Sequence, residues 1–319
     1  MKLATYKDGT RDGQLVVVSR DLSTAHYATG IATRMQQALD DWGFIAPQLQ
    51  DLYETLNHGK ARHAFPFDPA LCMAPLPRAY QRLTGAAYAS HAALLGDTEG
   101  NLAVHQSASD HLQGAHEPVV CANENLGVDF SAEIAVITGD VPAGATPDAA
   151  LEEVRLVMLS NATTLRHVAA GVQSQAAAAF SPVAVTLDEL GDAWDDGQVH
   201  LTVQVAWNGR KVGMCDAGTD MTYGFGQLLA HACKTRALRA GTIVSTGTVS
   251  NAGFEKNGQT EWPKGYSCIA EKRAMETALD GKATTEYMKF ADTVRIEAKG
   301  KDGQSVFGAI EQELSPLSA

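Results

Sequence analysis

Apolar residues at the start of the chain fall into two short runs separated by a polar turn. Leu3 to Ser19 reads as two strand-like segments around Lys-Asp-Gly-Thr-Arg-Asp-Gly at residues 7–13, and the second segment is residues 14–19. Short apolar runs joined by a glycine-containing turn are typical of a hairpin. The pattern therefore predicts that the chain opens with a β-hairpin.

The next segment carries apolar residues at helical spacing. Between about Gly30 and Asn57 they are Ile31, Met35, Leu39, Trp42, Phe44, Ile45, Leu49, Leu52 and Leu56. This spacing indicates amphipathic helix, while Gly43 and Pro47 indicate a break, so we predict two helices. Together with the hairpin they form a small N-terminal α+β domain over residues 1–70, and the proline-rich stretch 66–78 marks its boundary.

Beyond residue 70 the pattern changes to short strand-like runs punctuated by glycine. The runs are residues 129–138, 155–160, 181–185, 198–207, 242–248, 293–298 and 305–312. Residues 223–234 are the clearest helical segment among them, with Thr219 or Asp220 as the candidate cap. We therefore predict an α+β protein with a β-rich second domain over residues 71–319.

Composition and charge narrow the class of protein. The 319 residues are 45% hydrophobic, which is enough for a substantial core, and a net charge of −12 without a Lys/Arg cluster argues against a nucleic-acid partner. The five cysteines have no C-x-x-C spacing, so neither a disulfide framework nor a structural zinc site is indicated. We expect a cytoplasmic protein with no membrane partner, because no apolar run reaches the roughly 18 residues of a membrane span.

The most specific signal lies between residues 201 and 250. Asn208-Gly209 predicts a tight turn, the helix at 223–234 follows, and then comes Leu238-Arg-Ala-Gly-Thr-Ile-Val-Ser-Thr-Gly-Thr-Val249. Tyr88-Ala-Ser-His91, the strand at 129–139 and the segment Phe290-Ala-Asp-Thr-Val-Arg-Ile are further ordered motifs. In these motifs the chain resembles the fumarylacetoacetate hydrolase family over about residues 70–312. Its leading unit is similar to the N-terminal domain of the longer members.

The resemblance implies a fold and a chemistry. Members have a mixed β-roll body, are usually homodimers, and hydrolyse or decarboxylate small oxo-acids at the mouth of the roll. They use Mg²⁺, Mn²⁺ or Ca²⁺ held by carboxylates, because a hard cation takes oxygen ligands and stabilises the enolate left when the C–C bond breaks. We therefore expect a small-molecule substrate and a homodimer.

The chain departs from the family at the positions that hold the metal. Ser131 occupies the place of the first glutamate of the strand motif, Glu133 retains the second, and Ala162 occupies the place of a metal-binding aspartate. Asn101 is the expected occupant of a third acidic position, and Gln175 replaces the catalytic lysine. Since a methyl group cannot coordinate a cation, we expect no metal cofactor here. The glutamine cannot act as an acid or base, so the function of the catalytic lysine is also expected to be absent.

The same resemblance supplies candidate substrate-binding residues. Arg166, Thr248 and Glu271 match positions that line the substrate pocket in relatives. Arginine can hold a carboxylate through two parallel hydrogen bonds, and threonine offers a hydroxyl. The complete predicted binding set is Arg166, Thr248, Gln175, Glu271, Ser131 and His167.

The candidate catalytic residues are Glu133, His105 and Arg166. Glu133 is interpreted either as a general base or as a carboxylate that merely pairs with Arg166 or Lys264. A segment that closes over the site in relatives contains His105, Asp110, His111 and His116. We favour His105 among these as an acid or base, by position only. His91 is expected to shape the pocket rather than to catalyse.

These observations lead to one expected function and two rivals. We expect a divergent family enzyme that acts on a small oxo-acid or enolisable dicarbonyl by metal-independent proton transfer, isomerisation, condensation or C–C cleavage. The pathway in which it acts could be biosynthetic. One rival is an ordinary metal-dependent hydrolase that uses replacement ligands such as His105 or Asp110. The other is a non-catalytic binding or partner subunit.

Overall fold

The structure, a computed structural model, describes residues 1–97 and 99–317. Its helices are α1 (Met35–Asp40), α2 (Trp42–Asn57), α3 (Ala89–Leu94), α4 (Pro147–Leu151), α5 (Leu187–Leu190), α6 (Phe225–Ala232) and α7 (Ile269–Asp280). Its first strands are β1 (Lys2–Tyr6), β2 (Gln14–Val18), β3 (Thr24–Tyr27), β4 (Phe65–Pro66), β5 (Gln81–Gly85), β6 (Val104–Ser107), β7 (Leu112–Gln113), β8 (Val119–Cys121), β9 (Val128–Asp129), β10 (Ala132–Thr138) and β11 (Val154–Leu165). The remaining strands are β12 (Gln175–Phe180), β13 (Ala184–Val185), β14 (Trp194–Asp195), β15 (Gln198–Val199), β16 (Thr202–Trp207), β17 (Arg210–Asp216), β18 (Thr242–Ser245), β19 (Phe254–Lys256), β20 (Gln259–Glu261), β21 (Thr293–Lys299) and β22 (Ile310–Pro316). The last two residues of the predicted second domain, 318 and 319, lie outside the described chain.

The N-terminal elements follow the sequence pattern with one difference. β1 and β2 pair antiparallel from Lys2 opposite Val18 to Tyr6 opposite Gln14, which confirms the hairpin. Two helices follow it, but they separate at Asp41, and Pro47 lies inside α2. Proline removes one backbone hydrogen bond, and burial of the apolar face of α2 outweighs that loss.

Most of the strands join one large sheet. The 13-stranded sheet runs in the order β4-β3-β2-β1-β13-β11-β10-β18-β5-β6; β12 and β9 also pair with β11, and β7 pairs with β12. A second, five-stranded sheet has the order β17-β16-β21-β22-β8. Because Lys2 of β1 pairs with Val185 of β13, the N-terminal segment and the body share the same sheet.

The hydrophobic core has two parts, one on each face of the large sheet. One cluster places Val136 of β10 with Val203 and Ile296 of the five-stranded sheet. The other places Ile137 of β10 with Leu3 of the N-terminal hairpin. Every residue of β10 is buried, which accounts for its nearly continuous apolar sequence.

Several elements differ from the sequence-based prediction. β11 has 12 residues rather than the six predicted at 155–160, and the final strand lies at Ile310–Pro316 rather than at 305–312. α6 is capped by Gly224 and not by Thr219 or Asp220. α7 was not predicted at all, because polar residues interrupt its apolar face and two of its buried residues are glutamates.

Candidate functional site

The beginning of β10 carries a buried polar cluster. Ser131 and Glu133 are 4% and 3% exposed, and the Ser131 hydroxyl donates to Glu133 Oε1 at 3.0 Å. Ser131 Oγ also lies 2.7 Å from Thr248 Oγ1. Thr248 follows Gly247, whose φ of +77° and close approach to the Gly85 carbonyl leave no room for a side chain there. Two hydroxyls and one carboxylate therefore meet at this end of the sheet.

The carboxylate of Glu133 is buried, but only one of its two oxygens is hydrogen-bonded. Its Oε2 has no hydrogen-bond partner, and neither does the hydroxyl of Ser160, which lies directly opposite Glu133 in the β10–β11 ladder. Each unsatisfied buried polar atom costs about 1–3 kcal/mol. Of the two interpretations of Glu133, pairing with Arg166 or Lys264 is not what the structure has, because Arg166 bonds a different carboxylate and Lys264 is exposed.

That other carboxylate is Asp129, which anchors the start of α7. Asp129 is fully buried and accepts hydrogen bonds from the backbone N–H groups of Ile269 at 2.6 Å and Ala270 at 3.0 Å. Arg166 Nε donates to it at 2.9 Å. Burial raises the pKa of Asp129, while the guanidinium and the two helix amides oppose that rise. Arg166 is thus tied through Nε to a structural carboxylate, and its side chain is 25% exposed.

A second polar pair lies between the beginnings of α3 and α7. His91 Nδ1 is 2.9 Å from Glu271 Oε1, and the other oxygen of Glu271 accepts from the backbone N–H of Ser267 at 2.9 Å. The carboxylate is 1% exposed, whereas the imidazole is 21% exposed. A buried carboxylate thus orients a partly accessible histidine.

The two clusters share their supporting segments. The backbone of Ser131 forms a β-bridge with Cys268, and Ala132 N donates to Ser267 O at 3.0 Å. Val249 N, in the loop after β18, donates to Ala132 O at 2.9 Å. The segments that carry Thr248 and Glu271 are therefore both hydrogen-bonded to the first residues of β10.

Sequence reasoning assigned His91 a pocket-shaping role and did not connect it with Glu271. The two residues are 180 positions apart in the chain, and each was recognised only within its own motif. The available signal was the pair of matches at Tyr88–His91 and Tyr266–Glu271, and only the tertiary fold brings those motifs together.

Other predicted site residues lie outside these clusters or serve local contacts. His105 is exposed on β6, an edge strand of the sheet, opposite Thr84. His167 is exposed, and its Nδ1 lies 2.8 Å from the Asn125 carbonyl. Gln175 Oε1 accepts from the backbone N–H of Ala108 at 2.7 Å.

The residues that the resemblance places at the family's metal positions do not fit a hard divalent cation. Ala162 lies two residues beyond Ser160 on β11, so its methyl group is on the same face as Glu133. Asn101 is exposed, and its amide donates to Glu99 at 2.9 Å. Glu133 is therefore left as one carboxylate with a hydroxyl neighbour, short of the oxygen set that such a cation takes.

A different group of potential ligands has metal-like spacing. The ligand atoms of His91, Cys268 and Glu271 all lie within 4.8 Å of one another. Both oxygens of Glu271 already accept hydrogen bonds, and Cys268 Sγ accepts from the Glu271 backbone N–H at 3.4 Å. Burial raises the pKa of the Cys268 thiol, so it is a poor source of thiolate. The hydrogen bonds account for this arrangement without an ion.

Comparison with models of protein families shows which family the chain belongs to. A model described as the fumarylacetoacetate hydrolase C-terminal domain matches residues 82–315, and one described as fumarylacetoacetase N-terminal domain 2 matches residues 1–78. The chain belongs to the fumarylacetoacetate hydrolase family. The predicted family, and the α+β fold with a small N-terminal domain, are thus confirmed.

Solved structures of the fumarylacetoacetate hydrolase family share the fold along the whole chain. Maleylpyruvate hydrolase from Sphingobium sp. SYK-6 is 16% identical with a TM-score of 0.69, covering 99% of this chain and 100% of that one. A probable 2-hydroxyhepta-2,4-diene-1,7-dioate isomerase from Mycobacterium abscessus is 19% identical with a TM-score of 0.69, covering 100% of both chains. Another structure of the Sphingobium hydrolase, in complex with manganese(II) and pyruvate, has a TM-score of 0.67 at 16% identity, covering 100% of both chains.

A search of curated proteins and the hydropathy of the helices give two further results. A search of curated proteins found no match. Across the described residues, no helix is both long enough and apolar enough to cross a membrane.

Proposed function

We propose that this family member is an enzyme that moves a proton at the carbon beside the carbonyl of a small oxo-acid, without a divalent metal. The observation that carries the proposal is the pair of His91 with buried Glu271. The enolate of an oxo-acid is formed by this proton transfer in isomerisation and condensation, and in C–C cleavage it is the species that the same transfer, in reverse, protonates at carbon.

The geometry of the pair suits a general base. An ionised Glu271 can only accept hydrogen bonds, so it fixes the proton of His91 on Nδ1 and leaves a lone pair on Nε2. Nε2 takes a proton from the substrate carbon, and the electrons of the broken C–H bond move to the carbonyl oxygen as an enolate. Return of the proton to the same carbon gives exchange with solvent, and return to a different carbon gives isomerisation.

The charge that develops on the substrate needs donors. The hydroxyls of Ser131 and Thr248 can hydrogen-bond an enolate oxygen, and the terminal nitrogens of Arg166 remain to receive the acid group of the substrate. When the substrate arrives as its enol instead, Glu133 Oε2, which has no partner, can accept the hydroxyl proton and so give the same enolate. Glu133 therefore serves as a proton acceptor at oxygen, while His91 serves at carbon.

The relatives support the reaction class and supply the rival. Structural neighbours are named as a maleylpyruvate hydrolase and a probable 2-hydroxyhepta-2,4-diene-1,7-dioate isomerase, and the hydrolase is crystallised with manganese(II) and pyruvate. Metal-dependent hydrolysis is therefore the alternative. The serine at 131 and the alanine at 162 argue against it for this chain, because they remove two carboxylate ligands.

Proton exchange at carbon tests the proposal directly. In D₂O with excess EDTA, the protein should accelerate loss of the C3 proton signals of pyruvate or 2-oxobutanoate, followed by ¹H NMR. His91→Asn should lower the rate by about 100-fold or more, which is the usual effect of removing a general base. His116→Asn is the matched control, because His116 also faces a glutamate, Glu311 at 3.8 Å, away from the site.

Three outcomes would contradict the proposal. The first is exchange that appears only after EDTA is replaced by Mn²⁺, which would support the metal-dependent hydrolase. The second is full exchange activity in His91→Asn together with loss of activity in His105→Asn. That result would show that His105, the histidine favoured by the sequence analysis, is the base. Absence of exchange with both oxo-acids would favour a binding protein.

A further inference from the structure

Arg82 carries a buried charge that the proposed function does not use. It lies in β5 and is 2% exposed, and its Nε has no hydrogen-bond partner. It forms no ion pair with any residue in the described part of the chain. Burial lowers the pKa of its guanidinium, and the charge of Glu133 opposes that change. A buried cation of this kind needs a compensating anion.

The sheet register places Arg82 on the same face as Glu133. Arg82 pairs with Ile243 of β18, and Ile243 pairs with Ile137 of β10. Residues opposite one another in a ladder share a face, and so do residues two and four apart along a strand. Arg82, Ile137 and Glu133 therefore project to the same side of the large sheet.

Three unsatisfied polar atoms mark that side. Arg82 Nε and Glu133 Oε2 have no partners, and the same holds for the hydroxyl of Ser160, which lies opposite Glu133. Other cations are engaged elsewhere or exposed, since Arg166 pairs with Asp129 and Lys264 lies at the surface. Arg82 is thus the buried cation available to Glu133.

We propose that Arg82 is the built-in counter-charge of Glu133 and stands in for a divalent cation as the positive charge behind this site. A guanidinium keeps its charge when buried and does not leave the site. The two groups form no direct ion pair, so the coupling between their charges acts through space. The inference rests on the proposed function only in that both treat Glu133 as a carboxylate without a metal.

A double-mutant cycle on stability tests the coupling. Urea midpoints are measured for the wild type, Arg82→Met, Glu133→Gln and the double variant, with EDTA present throughout. Methionine keeps most of the side-chain volume of arginine but carries no charge. We expect Arg82→Met to lower the midpoint strongly, because it leaves Glu133 as an uncompensated buried anion. We expect the double variant to lose clearly less than the sum of the two single losses.

Arg155→Met combined with Glu133→Gln is the matched control. Arg155 is a partly buried arginine whose Nε also lacks a partner, but it pairs with Glu153 and lies five positions along β11 from Ser160. This cycle should be additive, because the two residues share no partner.

The possible outcomes distinguish coupling of Arg82 with Glu133 from its absence. A cycle in which Arg82 and Glu133 are as additive as the control pair would overturn the inference. If Arg82→Met fails to fold, recovery of folded protein in the double variant supports the coupling, and a double variant that also fails to fold contradicts it. These readouts are independent of turnover, so proton exchange can fail while the coupling holds, and the reverse.

Discussion

The hydroxyl of Ser131 lies between Glu133 and Thr248 and contacts both. A glutamate at this position would bring a second carboxylate to the same face of the sheet. An aspartate at Ala162 would bring a third, because Ala162 lies next to Ser131 across the β10–β11 pair. Together with Glu133, these two carboxylates would make a set of three, which is a donor set that a hard cation takes.

The two carboxylates absent at Ser131 and Ala162 can be introduced by mutation. Ser131→Glu combined with Ala162→Asp should create a Mn²⁺ site, and its melting temperature should rise by several degrees at saturating Mn²⁺, because binding to the folded state alone stabilises it. Ser131→Gln with Ala162→Asn is the neutral control of the same shape. An equal Mn²⁺ response in the wild type would show that the native donor set already suffices.

Helix α7 organises the site at the scale of a single element. Its first amides bind Asp129, and Glu271 in its first turn binds His91. A carboxylate in the first turn also complements the positive end of the helix. Further along, Glu276 accepts from the backbone N–H groups of Thr284 and Thr285 and so holds the segment that follows the helix.

The contacts of Glu276 predict acid sensitivity. Burial acts to raise its pKa, but hydrogen bonds from Thr285 and Thr284 and the charge of Lys272 lower it from 4.5 to about 2. A depressed pKa contributes stability that is complete above the unfolded value and is lost as pH falls from about 4.5 towards 2. Glu276→Gln should therefore have a lower urea midpoint than the wild type at pH 7, and the two should converge near pH 2. Parallel curves at all pH values would contradict this.

The molecule as a whole joins its N-terminal segment to the body through one sheet and through shared hydrophobic clusters. Leu3 in β1 is completely buried, and it belongs to the same cluster as Ile137 and Ile243 of the body. The two sequence segments matched by separate family models, 1–78 and 82–315, are therefore coupled structurally.

Coupling of this kind predicts a single unfolding transition. Leu3→Ala should destabilise the whole chain by about 2–5 kcal/mol, the usual effect of a large-to-small core substitution, and should shift one calorimetric transition without splitting it. Leu71→Ala is the control, because Leu71 is 47% exposed, and its effect should stay within about 0.5 kcal/mol. Two separated transitions in Leu3→Ala would show that the N-terminal segment unfolds independently.

The parts of the fold that could be predicted were those with local patterns. The hairpin at β1–β2 follows from short apolar runs around a glycine-containing turn, and the helix α6 follows from helical spacing. The first residues of β11 were recognised but not its full length, because the extension contains the polar residues Asn161, Thr163 and Thr164. α7 was missed for the related reason that its buried glutamates look like surface residues.

The sequence by itself determined the family and the α+β class, and it predicted replacements at Ser131, Ala162 and Gln175, because each depends on residue type at a fixed spacing within a short motif. The tertiary structure alone decided that His91 meets Glu271, that Arg166 is tied to Asp129, and that Arg82 faces the same side as Glu133. These relationships join residues on different elements, and their distances depend on sheet register and helix position, which no local pattern encodes.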